Sequence, residues 1–289
     1  MDLHHPSFQG LLLPLALSAL VAALARAVRR EHGGASDWTA IGIPIALLLS
    51  AWWMLGWTLV PDNLLEKLPW CYAAAAIVGV GLQASRNTAG EQWLFAGLFW
   101  AMAVGLLGNL GLAYKLGAGG VGLLVLAASL NEPPRQPTTP VLLVVASLGL
   151  AGVAMASGSA LLFELALALA AATAGCALWL WPVVRISFCA VGSVPATLAW
   201  LMLAFAVASL TSARPTTLLV LAAAFGAGIL VQGAARNFAF VQALRPWSRA
   251  LIVAAFAAAF ASAAVLLALQ DGGAGPAASM DDPYYQPRW

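Results

Sequence analysis

The stretch Ser157–Trp181, SGSALLFELALALAAATAGCALWLW, decides the fold class. From Ala160 to Trp181 it carries one charge, Glu164. An α-helix rises about 1.5 Å per residue and the hydrocarbon core of a bilayer is about 30 Å thick, so about 20 apolar residues cross it. The stretch therefore reads as a membrane span. Ser157-Gly158-Ser159 opens it with turn chemistry.

The rest of the chain has the same character. Of its 289 residues, 62% are hydrophobic and only 8% are charged, against about 25% charged in soluble domains. A water-soluble surface cannot be built from so few charges. The expected class is an all-α integral membrane protein in contact with the lipid bilayer. A net charge of +2, with no basic cluster beyond Arg29-Arg30, gives no basis for nucleic-acid binding. The N-terminal MDLHHPSFQG has no positive n-region, so Phe8 to Ala27 is read as a retained helix rather than a cleaved signal.

Ten apolar segments are candidate spans: 8–27, 38–60, 69–84, 92–113, 116–130, 140–156, 160–182, 187–210, 215–234 and 248–269, of which 116–130 is short and open to being a broken or re-entrant segment. Short breaks separate them. The clearest is NEPPRQPTTP (131–140), whose closely spaced prolines cannot continue a helix. The run 92–130 is too long for one crossing, and a turn is expected near Tyr114-Lys115. The spans form one polytopic domain over 1–270, divisible into five-helix halves at 1–135 and 136–270. Residues 271–289 form a polar tail, read as flexible or as a docking peptide for a partner. An odd number of spans per half gives the halves opposite orientations, as in an inverted repeat.

The basic residues sort by side. Arg26, Arg29, Arg30, Arg86, Arg135, Arg185, Arg236, Arg245 and Arg249 fall on one side of the alternating spans. Lys67, Lys115, Arg214 and Arg288 fall on the other. The positive-inside rule places the first set in the cytoplasm and both termini outside. A bacterial inner membrane is the expected location. In size and layout the chain resembles the drug/metabolite transporter superfamily. It shares no motif with that family, and its outward termini depart from the family's usual cytoplasmic ones.

Glu164 is the first candidate functional residue. A carboxylate at the bilayer centre costs about 2.5–3.5 kcal/mol on insertion scales. Five residues past Ser159, however, it lies only about 7 Å below the helix start. At helical spacing it shares a face with Ala160, Leu161, Ala168, Ala171 and Gly175; apart from Leu161 these are small residues, which mark close helix contact. It is therefore expected to point into the bundle, as a proton- or substrate-coupling acid, a structural hydrogen-bonding group or a carboxylate solvated near the interface. Asn109, placed near the end of the fourth span, is a second candidate for substrate contact, against a structural interhelical bond. Lys115 and Arg214 share Glu164's side and are its candidate ion-pair partners. Trp52, Trp53, Trp57, Trp179, Trp181 and Trp247 lie near span ends, where tryptophan anchors at the lipid interface.

No cofactor, metal site or catalytic group is expected. His4, His5 and His32 lie near segment ends rather than inside spans, which argues against haem ligation by paired histidines. Cys71, Cys176 and Cys189 are odd in number and lack metal-ligand or disulfide spacing. No HExxH, Walker A or nucleophile-elbow pattern is present. Two functions remain. One is a transporter or permease for a small, largely apolar or amphipathic solute. The other is a non-catalytic accessory or scaffold subunit that meets membrane-protein partners through its Trp-rich flanks and tail.

Overall fold

The computed structural model describes residues 8–30, 38–85, 88–107, 111–130, 136–180, 187–237 and 246–273. These form α1 (Leu13–Arg30, preceded by a π-helical turn, Phe8–Leu12), α2 (Gly42–Leu55, preceded by a 3-10 turn, Thr39–Ile41), α3 (Leu64–Ala84) and α4 (Ala89–Leu107). Then follow α5 (Leu112–Leu130), α6 (Thr138–Ala156), α7 (Ala160–Ala177, extended by a 3-10 turn, Leu178–Leu180) and α8 (Ala190–Leu210). The chain ends with α9 (Pro215–Ala223), α10 (Gly226–Asn237) and α11 (Pro246–Gly273). No strand occurs among the described residues.

The protein is an all-α integral membrane protein. Among the described residues, 8 helices are long and apolar enough to cross a membrane. The second and ninth expected spans instead become the shorter apolar segments Thr39–Leu55 and Pro215–Val231. The second ends early because Gly56 takes φ +73 and its N–H closes on the Trp52 carbonyl, a backbone conformation that glycine adopts without strain and that turns the chain out of the helix. The ninth is interrupted by a turn at residues 224–225, between α9 and α10.

Two other boundaries move. The stretch 92–130 divides between Leu107 and Leu112 rather than at Tyr114-Lys115. α5 gains enough length to span. In VPDNLLEKLP the helix starts inside the expected loop, at Leu64. Glu66 makes this start favourable by accepting from the Asp62 N–H at 3.0 Å and from Asn63 Nδ2 at 3.2 Å. At the other end, α11 runs through Gly273, so the first residues of the expected tail are helical. Residues 274–289 of that tail lie outside the described residues.

The opening turn of the quoted stretch sets the tightest hairpin. Ser159 N–H bonds Ala154 O at 2.9 Å and Gly158 N–H bonds Met155 O at 3.1 Å, with Gly158 at φ +84. This is a Schellman closure of α6. Ser159 then caps α7, its Oγ accepting from Leu162 N–H at 3.4 Å. One residue thus ends one helix and starts the next, and α6 and α7 pack along their length.

α8 forms the centre. It is buried around nearly its whole circumference and packs most closely on α3, then on α5, α7, α2 and α6. Its Pro195 ring sits against Gly79 of α3, where any side chain would collide with the ring Cδ, 2.8 Å from the Cβ position. α1 lies on α7 through Gly175, whose Cβ position is occupied by the Leu15 carbonyl. Its opposite face, with Leu20, Leu24 and Val28, is exposed and meets lipid.

Candidate functional site

The best-formed cavity lies between α4, α5, α8 and α9. It holds about 260 Å³ and is lined by Trp100, Ala113, Tyr114, Gly117, Ala118, Val121, Gly122, Trp200, Leu201, Ala204, Phe205, Ala208, Pro215, Leu218, Leu219 and Ala222. All but Tyr114 are apolar or carry, as the tryptophans do, one N–H on an apolar body.

Four aromatic rings build its walls. Trp100 and Tyr114 both meet Phe205 edge-on, with centroids at 6.4 Å and 6.2 Å. Trp200 meets Phe225 at 4.7 Å in a T-shaped contact. Such geometry places the positive ring edge on a negative face and fixes the walls without polar groups. Trp100 is held further by its Nε1, which donates to the Ala118 carbonyl at 3.3 Å. Its indole occupies the space a Cβ on Gly122 would need. Glycine at 122 is what lets α4 and α5 close over that ring. Trp200 Nε1 is buried and has no hydrogen-bond partner among the described residues.

The cavity has a defined depth and opening. On α5 it runs from Ala113 to Gly122, on α9 from Pro215 to Ala222, and on α8 from Trp200 to Ala208. These are the halves of α5 and α8 nearest the 108–111 and 211–214 connections, and nearly the whole of α9. The site therefore extends from the middle of the bundle to that end. Ala113, Gly117 and Leu219 are exposed, so the cleft also opens sideways between α5 and α9, which touch each other little.

The residues singled out from sequence lie elsewhere. Glu164 lines neither this cavity nor the groove of Val78, Leu82, Phe95 and Phe99 between α3 and α4. It is half-buried on α7 and faces the N-terminal turn. A methyl group on Gly10 would stand 3.7 Å from Glu164 Cβ and 3.5 Å from its carbonyl oxygen. The expected ion pair with Arg214 is replaced by another, because Arg214 Nη1 lies 3.1 Å from Asp271 Oδ1. Lys115 is on α5, which is not among the helices that pack on α7. Asn109 falls between α4 and α5 and lies outside the described residues.

The tryptophans divide. Trp52 and Trp53 are exposed, as interfacial anchors would be. Trp57 meets Trp70 in a tilted contact with centroids at 4.5 Å, and Trp70 Nε1 donates to Thr58 O at 2.9 Å, which ties the α2–α3 corner. Trp179 Nε1 donates to Ala19 O at 3.1 Å while Arg26 sits over the ring at 5.5 Å. Trp247 Nε1 donates to Leu180 O at 3.2 Å. These last two tie helices together, Trp179 through a carbonyl inside α1 and Trp247 through the carbonyl that ends the α7 segment. Trp181 lies outside the described residues.

Sequence reading passed over Trp100 and Trp200. The available signal was their depth. Trp200 stands midway along α8 and Trp100 well inside α4, away from the interfacial layer where tryptophan needs no explanation. No group of three or more His, Cys, Asp or Glu able to hold a metal occurs among the described residues. No family model matches the chain and no curated protein matches it, so the site rests on its geometry.

Proposed function

We propose that the protein is a ten-span transporter or permease of the bacterial inner membrane, moving a small, largely apolar or amphipathic solute that enters the aromatic cleft from the membrane. The observation that carries this reading is the cleft itself: an apolar cavity walled by Trp100, Tyr114, Trp200 and Phe205 and open sideways between α5 and α9. A lateral opening of this kind suits a solute dissolved in the bilayer.

Ten crossings are supported by contacts at both ends of the last helices. Arg214, before α9, pairs with Asp271 near the end of α11. Trp247, at the start of α11, bonds Leu180 at the end of the α7 segment. The 23 residues from Pro215 to Asn237 thus run from one end of the bundle toward the other, although a turn divides them. With ten crossings, the excess of arginine on one side puts both termini outside the cytoplasm.

The test compares cells expressing the wild type with cells expressing Ala204→Trp, which fills the cleft. Accumulation of amphipathic dyes and biocides is measured in both. A compound whose accumulation changes with the wild type, but not with Ala204→Trp, supports transport. Unchanged accumulation across the panel, together with recovery of stoichiometric partner proteins in mild detergent, would assign the accessory-subunit role instead.

A further inference from the structure

We propose that α9 is the gate of the cleft, swinging about the break between α9 and α10, and that the Arg214–Asp271 ion pair is the catch that holds it open. The inference rests on the cleft being the solute site and adds how access to that site is controlled.

The hinge is built into the backbone. Ala224 N–H bonds Leu221 O and Phe225 N–H bonds Ala222 O, both at 3.1 Å, three residues back rather than the four of an α-helix. Lipid cannot satisfy backbone groups that such a break frees, so a break inside a membrane segment is tolerated where protein shelters it. Ala224 and Phe225 are buried accordingly. No proline forces the break, since Pro215 stands at the start of α9. Gly226 follows it, and the space that its Cβ would take is empty. Packing does not call for glycine there, and the turn uses its backbone freedom.

The two ends of α9 are held differently. At the hinge end Leu221 is fully buried and reaches the notch at Gly149 of α6, beside Ala261 of α11. At the other end Arg214 pairs with Asp271 at 3.1 Å, a largely exposed and therefore weak tie. Between these points α9 packs chiefly on α11. No hydrogen bond or ion pair joins α9 to α5 or α8 among the described residues. α11 is not among the helices that pack on α5, so the ion pair draws α9 toward α11 and away from α5. The empty cleft favours the opposite. Apolar walls that face a void lose dispersion contacts, which α9 regains by leaning over α5. Ala113 and Gly117, small and exposed on α5, leave room for it.

Trp200 links the hinge to the contents of the cleft. Its ring lines the cleft and also packs on Phe225 at 4.7 Å. Trp93, Trp100, Trp179 and Trp247 each donate Nε1 to a backbone carbonyl. Trp200 Nε1 has no such partner among the described residues. The indole against the hinge is thus held by packing alone and is free to shift with it.

The experiment measures the distance between spin labels on Leu116→Cys of α5 and Thr216→Cys of α9, both exposed positions, by double electron–electron resonance. It uses the full-length protein in lipid nanodiscs with Cys71, Cys176 and Cys189 replaced. α9 is 9 residues long, about 13 Å, so a swing of about 20° brings its Arg214 end about 5 Å nearer α5. Asp271→Asn is expected to shorten the distance by about that much, and the exchanged pair Arg214→Asp/Asp271→Arg to restore it. Filling the cleft with Ala204→Trp is expected to cancel the shortening, with Leu218→Trp as a second filling variant should the first not fold. Labels on Leu148→Cys of α6 and Leu266→Cys of α11 should keep their distance throughout. A distance unmoved by Asp271→Asn, one not restored by the exchange, or one that shortens as much with the cleft filled overturns the gate, as does a change in the control pair. No solute enters these measurements, so the two readings fail separately. A shift in distance with dye accumulation unaltered by the wild type keeps the gate and removes transport. A fixed distance with accumulation that Ala204→Trp abolishes removes the gate and keeps transport.

Discussion

The indole of Trp100 fills the space beside Gly122 that any side chain there would require, and its N–H reaches the Ala118 carbonyl at 3.3 Å. This one contact joins α4 to α5 and forms a wall of the cleft. Stability and ligand binding are therefore coupled at a glycine.

Gly122→Leu should destabilise the protein by about 1–3 kcal/mol, the usual cost of overpacking, and lower amphiphile affinity because Trp100 must leave its place. Gly105→Ala on α4 is the control. Its Cβ position is empty, and the change should stabilise by up to about 1 kcal/mol through helix propensity. Thermal unfolding in detergent, followed by near-UV circular dichroism, measures both. Equal melting temperatures for the two variants would contradict the packing.

Single cysteines at positions 214 and 271, introduced after Cys71, Cys176 and Cys189 are replaced, should react with a membrane-impermeant maleimide from the same side of sealed vesicles. The ion pair of Arg214 and Asp271 requires this. Labelling from opposite sides would remove α9–α10 from the count of crossings. The pair itself should contribute less than about 1 kcal/mol, since the Arg214 side chain is 66% exposed.

Glu164→Gln should leave binding of an amphipathic dye in the cleft unchanged, because Glu164 lies beside Gly10 of the N-terminal turn and does not line the cleft. If Glu164→Gln abolishes substrate movement while binding persists, the acid is a coupling group acting apart from the solute site. Uptake and binding measured on one preparation separate these outcomes.

Ser159→Ala should cost about 0.5–2 kcal/mol by removing the cap of α7. Gly158→Ala should cost about 1–2 kcal/mol, because alanine is strained at φ +84. Chemical denaturation in mixed micelles reads both, and an unaltered midpoint would show that the α6–α7 turn relaxes without penalty.

Much of the architecture was legible in the sequence, since a span is set by the solvent rather than by distant residues. Apolar runs of sufficient length located all eight long helices, and the Ser-Gly-Ser turn was readable residue by residue. The failures came where local chemistry outweighed hydropathy. Gly56 stopped α2 early, and Glu66 drew the start of α3 into a stretch that looked like a loop. The cleft was not legible, because it depends on which helices become neighbours. Trp100 on α4 and Trp200 on α8 are a hundred residues apart, and nothing in either segment says that both line one cavity. Glu164 attracted notice as a charge in an apolar run. Hydropathy gives its depth, but not the helix facing it.

Pro195 and Gly79 bear on how the chain is built during synthesis. The notch at Gly79 is shaped for a ring that emerges more than a hundred residues later, roughly ten seconds at ordinary translation rates. Until then α2, α3, α4 and α5 surround a place that only α8 can fill. The early helices must wait in the bilayer with small-residue notches turned toward lipid or toward an assisting protein. Substitutions along the α3 face of α8 should therefore lower the yield of inserted protein before they alter the behaviour of molecules that complete assembly.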